Sequence, residues 1–289
     1  MIQERRKRSY NIFDRPFVLF MGPQRAGTSW LDRYLRARKD VCLPSDVKEV
    51  FFFDRDFDKG IRSYTAHFDP EPTHKIISEI STTSFDHKDA PKRVYDVFGS
   101  DVQLVCPLRN PIVRSYSLYL HYVRYGIVTG SLKDACAQNP QILESSYYAD
   151  NLNRWVEYYD LDQIHILFQE ELESDQDGFI QKVCDVLQIP YIKPQEELRA
   201  RYNVTTYSKS GVLAGLSQKA ADWCRQNRLY ALVNMAKCLG MKRVIFGKEN
   251  PDAARGDIPE EDYAFLQEKL GGEIKKLESL LGREMTVWK

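Results

Sequence analysis

The chain has 289 residues, 43% hydrophobic and 28% charged, with Lys plus Arg and Asp plus Glu both totalling 41. That is the composition of a globular protein able to bury a sizeable core, and its balanced charge carries no global sign of a nucleic-acid partner, so any anion site must be local. The six cysteines form no C-x-x-C pair and no apolar run reaches the roughly 18 residues of a membrane span. A disulfide scaffold, a zinc site and a transmembrane segment are therefore not expected, and a cytoplasmic location is the default expectation.

The first 15 residues, with Arg5-Arg6-Lys7-Arg8, read as a basic, solvated tail. Phe17 to Met21 is a continuously apolar strand that runs into Gly22-Pro23-Gln24-Arg25-Ala26-Gly27-Thr28-Ser29. This stretch has the two glycines and terminal Ser of the phosphate-binding loop G-x-x-x-x-G-K-[ST], but Thr28 stands in place of the lysine. Trp30, Leu31, Tyr34 and Leu35 then recur at helical spacing, which predicts a helix from near Ser29.

Further strands are expected at Lys75 to Ile80, Val102 to Pro107 and Gln163 to Phe168. Helices are expected at Pro111 to Tyr125, Ala149 to Tyr159 and Gly178 to Leu187. Asn110-Pro111 is a helix start, because Asn caps free amides and Pro suits the first turn. On the helix that follows, Asn110, Arg114, Ser117 and His121 make a polar stripe opposite Val113, Tyr116, Leu120 and Val123. From about residue 196 the chain is mostly helical, with one helix over Gln218 to Leu239 and one long amphipathic helix over Glu260 to Leu281. The alternation of strands and helices implies an α/β fold with a central parallel sheet, and a single domain over residues 1–289 is the simplest organisation.

A glycine-rich loop ahead of a helix binds oxyanions through convergent backbone amides and the helix dipole, with or without a lysine. The lysine of a nucleoside triphosphate site puts a cation near the β and γ phosphates, beside a magnesium ion. Here the cation is Arg25, inside the loop, which suits a less charged transferred group such as a sulfuryl group leaving a phosphosulfate. A second candidate anion site is Leu108-Arg109-Asn110-Pro111-Ile112-Val113-Arg114-Ser115-Tyr116-Ser117, with Arg109 at a strand end.

Pro23 to Trp30 resembles the 5′-phosphosulfate loop of the sulfotransferases that use 3′-phosphoadenosine 5′-phosphosulfate, P-K-x-G-T-T-W or R-K-G-G-T in those enzymes. The Arg109 and Ser117 pair resembles their 3′-phosphate element, R-D-P-x-x-R-x-x-S, and Lys48-Glu49-Val50-Phe51-Phe52-Phe53-Asp54 resembles the K-E-x-x-F-F-D of the glycan enzymes. The resemblance implies a P-loop-kinase-like three-layer fold and transfer of a sulfuryl group to a small-molecule or glycan acceptor, with 3′,5′-adenosine bisphosphate as product and no metal. It places Gln24, Arg25, Ala26, Gly27, Thr28, Ser29, Trp30, Arg109, Ser117 and the late-loop Lys209 at the donor. Arg25 takes the place of the catalytic lysine, Glu49 that of the base next to Lys48, and His121 is an alternative base. Glu79-Ile80-Ser81-Thr82-Thr83-Ser84 aligns with E-K-T-P-S-Y but has Ile80 for its lysine, while Ala90-Pro91-Lys92-Arg93-Val94-Tyr95 follows A-P-x-R-I-Y. Gln169-Glu170-Glu171-Leu172 reads as structural, Tyr147 and Tyr148 as pocket or packing residues, and a homodimer as a candidate assembly. The alternatives are a small-molecule kinase using ATP and magnesium, or a non-catalytic bisphosphate-binding protein.

Overall fold

The computed structural model describes residues 12–199 and 258–288. Lys209 and the expected helix over Gln218 to Leu239 lie outside the described residues. Five strands, β1 (Phe17–Phe20), β2 (Val41–Cys42), β3 (Ile76–Ile80), β4 (Gln103–Leu108) and β5 (Ile164–Phe168), form one sheet in the order β2-β3-β1-β4-β5. Every pairing is parallel. Four of these strands match the sequence reading to within a residue or so at each end. The two-residue β2 was not anticipated, since two residues show no period.

The helices are α1 (Thr28–Arg36), α2 (Ile61–Thr65), α3 (Ala90–Phe98), α4 (Pro111–Arg124), α5 (Leu132–Gln138), α6 (Gln141–Glu144), α7 (Tyr148–Val156), α8 (Gln169–Ser174), α9 (Gln176–Leu187), α10 (Glu196–Arg199), α11 (Glu260–Leu270) and α12 (Glu273–Leu281). Strand alternation sends Phe17 and Leu19 to one face of the sheet and Val18 and Phe20 to the other. The first pair packs with Val94, Trp155 and Leu277 of α3, α7 and α12, the second with Leu31 of α1 and Ile180 of α9. Both faces are thus covered, which is why these strands read as unbroken apolar runs. The four cysteines among the described residues are buried and unbridged. No described helix is long and apolar enough to cross a membrane.

Two readings need correction. The expected single helix over Glu260 to Leu281 is two, because Gly271-Gly272 interrupts it and α12 starts afresh to pack on α7. The stripe on α4 is also displaced: Arg114 is wholly buried, while Val113 and Val123 are each 36% exposed. Helix α4 packs through Ile112, Leu118 and Tyr122 against α5, α6 and α11, and this turns Arg114 inward. Its guanidinium donates to Ser115 Oγ, Ser146 Oγ and the Ile142 carbonyl, which is how the core tolerates the charge.

Candidate active site

Strand register builds the site. Phe20 pairs with Ile80 on one side and Val105 on the other, and the ladder continues as Ser81 N–H donates to Phe20 O at 2.8 Å and Met21 N–H to Val105 O at 2.9 Å. The loop after β1 therefore leaves the sheet between the chain leaving β3 and that leaving β4, at the carboxyl edge where open parallel sheets bind ligands. Gly22 permits this crowding: a Cβ there would lie 2.3 Å from Pro107 O. Gly27, at φ 83°, makes the left-handed step into α1. The first helical amide to bond is that of Trp30, to Gly27 O, and those of Thr28 and Ser29, at the start of the helix, have no intrahelical acceptor.

Arg25 also has positive φ, 72°, a conformation costly for a residue with a Cβ. Its Nε–H donates to Ser117 Oγ on α4 at 3.0 Å, so the two donor elements predicted from sequence, 92 positions apart, touch. Burial, and then the charges of Arg109, Arg124 and Arg114, lower the Arg25 pKa to about 10, which still leaves it charged at neutral pH. Arg109 is lowered too, by burial, against the raising effect of Glu173, Glu170 and Tyr148. Crowded cations of this kind call for an anion.

Glu49 stands opposite. Its Oε1 accepts from Lys48 Nζ at 3.0 Å and its Oε2 from Thr82 Oγ1 at 2.6 Å, while the same Lys48 ammonium donates to Thr28 Oγ1 at 3.3 Å. Lys48 thus ties the carboxylate to the anion loop. Behind them is Glu79, which the sequence marked only as a point of alignment: fully buried on β3, it accepts from Val50 N–H at 3.2 Å and from Tyr64 OH at 2.7 Å. Burial pushes its pKa up to about 7, against the lowering effect of those two bonds. A carboxylate in an apolar strand such as IISEI was the available signal, since it must find buried donors. Arg93 of α3 braces the turn after Glu49 by donating to Phe53 O at 2.8 Å, which accounts for the arginine of the Ala90 to Tyr95 stretch.

His121 is half-buried on α4, its ring 4.6 Å from that of Tyr125. Burial, followed by Arg25, Arg124 and Lys48, lowers its pKa to about 3, so the imidazole is neutral at physiological pH. Trp30 is only 4% exposed: it stacks on Tyr34 and donates to Leu198 O at 2.7 Å. Gln24, Arg25 and Ser29 are partly open, whereas Ala26, Gly27 and Thr28 are buried within the loop. Tyr148, fully buried, donates to Arg109 O at 2.7 Å, and Glu170 Oε1 accepts from Asn110 N–H at 2.8 Å.

Residues 15–211 match the family model described as a sulfotransferase domain. Among known proteins, the bifunctional heparan sulfate N-deacetylase/N-sulfotransferase 2 of Bos taurus is 26% identical over 300 residues, covering 94% of this chain and 30% of that protein. The heparan sulfate glucosamine 3-O-sulfotransferase 6 of Mus musculus is 27% identical over 60% of this chain and 52% of its own length. The chain thus spans about half or less of these relatives. Of solved structures, a sulfotransferase from Alicyclobacillus acidocaldarius shares the fold, with a TM-score of 0.65 at 19% identity over 95% of this chain and 98% of that one.

Proposed function

Because the chain belongs to the sulfotransferase domain family, we propose that it transfers a sulfuryl group from 3′-phosphoadenosine 5′-phosphosulfate to a hydroxyl or amine of an acceptor. The observation that carries this reading is the meeting of the loop, the start of α4 and Glu49 at one sheet edge, the loop being joined to α4 by the Arg25 to Ser117 contact and to Glu49 by Lys48, which donates to both Thr28 and Glu49. The loop amides and Thr28 would receive the 5′-phosphate, and Arg25 the charge that grows on the bridging oxygen as sulfur leaves it. Arg109 and Ser117 would hold the 3′-phosphate. Ser117 suits both tasks, since its oxygen accepts from Arg25 while its own proton stays available to a phosphate.

Glu49 would take the proton of the acceptor as it attacks sulfur in line with the departing oxygen. Thr82 and Lys48 hold one carboxylate oxygen each, so its direction is set before substrate arrives. His121, amid the cations, is the weaker candidate base, with a pKa of about 3. The names of the relatives favour a glycan as acceptor, with an amino or hydroxyl group as nucleophile. Labelled donor offered to glycans, phenols and amines, with the Glu49→Gln variant alongside, tests the reading. The variant is expected to bind 3′,5′-adenosine bisphosphate like the parent and to lose about 100-fold or more in transfer. Parent-like transfer would remove Glu49 as base, and tighter binding of ATP with magnesium than of the bisphosphate would overturn the donor.

A further inference from the structure

The Arg109 carbonyl and the Asn110 amide belong to one peptide group, and that group is gripped from both sides. Tyr148 OH, from the first residue of α7, donates to the carbonyl oxygen at 2.7 Å. Glu170 Oε1, two residues beyond β5, accepts from the N–H at 2.8 Å. Tyr148 is fully buried, and the other Glu170 oxygen is buried with no hydrogen-bond partner among the described residues. A carboxylate placed there gives up solvation for one backbone amide and the nearby charge of Arg109, both of which belong to the turn from β4 into α4. The peptide is also the hinge of the donor element: Arg109 precedes it, and Asn110 caps α4 by accepting from Ile112 and Val113 N–H. Rotation of this one plane would swing the Arg109 side chain and dislodge the cap together.

From this geometry we infer that Tyr148 and Glu170 are positioning residues for 3′-phosphate recognition, acting through the Arg109-Asn110 peptide without touching the donor. The inference rests on the reading of Arg109 as the 3′-phosphate ligand. It also gives Glu170 and Glu173 a second effect, since both carboxylates lie close enough to Arg109 to favour its charged form. The two residues come from segments about 20 positions apart that both follow β4 in the chain, so α7 and α8 converge on the turn that β4 makes into α4.

The test is the ratio of affinities for 3′,5′-adenosine bisphosphate and adenosine 5′-monophosphate, measured by calorimetry on the full chain. The 3′-phosphate is the sole difference between these ligands, so general damage to the fold lowers both and leaves the ratio unchanged. Arg109→Ala is expected to collapse the ratio by about 100-fold, and Tyr148→Phe and Glu170→Ala to reduce it by about tenfold with the monophosphate little affected. Glu170→Gln, whose amide oxygen can still accept from Asn110 N–H, should recover most of the ratio that Glu170→Ala loses, the remainder being the charge it no longer sets beside Arg109. If Arg109→Ala collapses the ratio and neither Tyr148→Phe nor Glu170→Ala moves it, or if Glu170→Gln is as impaired as Glu170→Ala, the positioning role is refuted while Arg109 stands. If Arg109→Ala leaves the ratio intact, the premise falls and the inference with it.

Discussion

Replacing Glu79 by Gln should remove a pH-dependent weakness from the fold. Glu79 is fully buried and its pKa is raised from the ordinary 4.5 to about 7, so the native state binds this proton more tightly than the unfolded chain does. Stability is therefore greatest below pH 4.5 and declines as pH rises, the loss being complete once the native group has ionised above about pH 7. At about 1.4 kcal/mol per tenfold in proton affinity the whole penalty is about 3 kcal/mol, most of which develops between pH 5 and 8. For a chain of this length that is about 5 °C in melting temperature. Gln reproduces the protonated acid: its oxygen accepts from Val50 N–H and its amide turns toward Tyr64 OH. Melting curves of both proteins should diverge with pH, the variant gaining about 5 °C on the parent between pH 5 and 8. Parallel curves would refute the account of Glu79 as a buried carboxyl that ionises near neutrality.

Three further outcomes are expected. Arg25→Gly relieves the backbone at φ 72° and should raise stability by about 1 kcal/mol while abolishing transfer; a lower melting temperature would contradict the strain. Gly22→Ala puts a Cβ 2.3 Å from Pro107 O, a backbone atom that cannot step aside, so it should cost about 2 kcal/mol or more and loosen bisphosphate binding, both read by melting with and without ligand. His121, held down to about 3 by burial and the surrounding cations, should show no NMR titration between pH 5 and 8 in the ligand-free protein, and bisphosphate should move its pKa upward; a mid-range titration without ligand would refute the environment described.

The parts of the fold that the sequence made legible are those with a local signature. Phe17 to Met21 is apolar throughout because both faces of its strand are covered, and Asn110-Pro111 supplies the cap and first-turn proline of α4 from two adjacent residues. The anion loop was readable for the same reason, since its glycines answer to backbone geometry. What stayed hidden depends on tertiary partners. Arg114 looked like one more member of a polar stripe because nothing local says that Ser146 waits for it 32 positions on. Glu79, Tyr148 and Glu170 likewise act on backbone atoms of distant segments, and a hydrogen bond to a peptide group leaves no preference for any residue type at the other end.

The crowding of Arg25 with Arg109, Arg124 and Arg114 has a practical consequence. On the proposed reading, a compact dianion bound beside Arg25 would relieve the repulsion among these cations and stabilise the protein by mass action. Sulfate and phosphate would then rank among the best buffers in a stability screen, and for the same reason they would compete with the donor in an assay. Conditions chosen to keep this protein intact would be those that silence it.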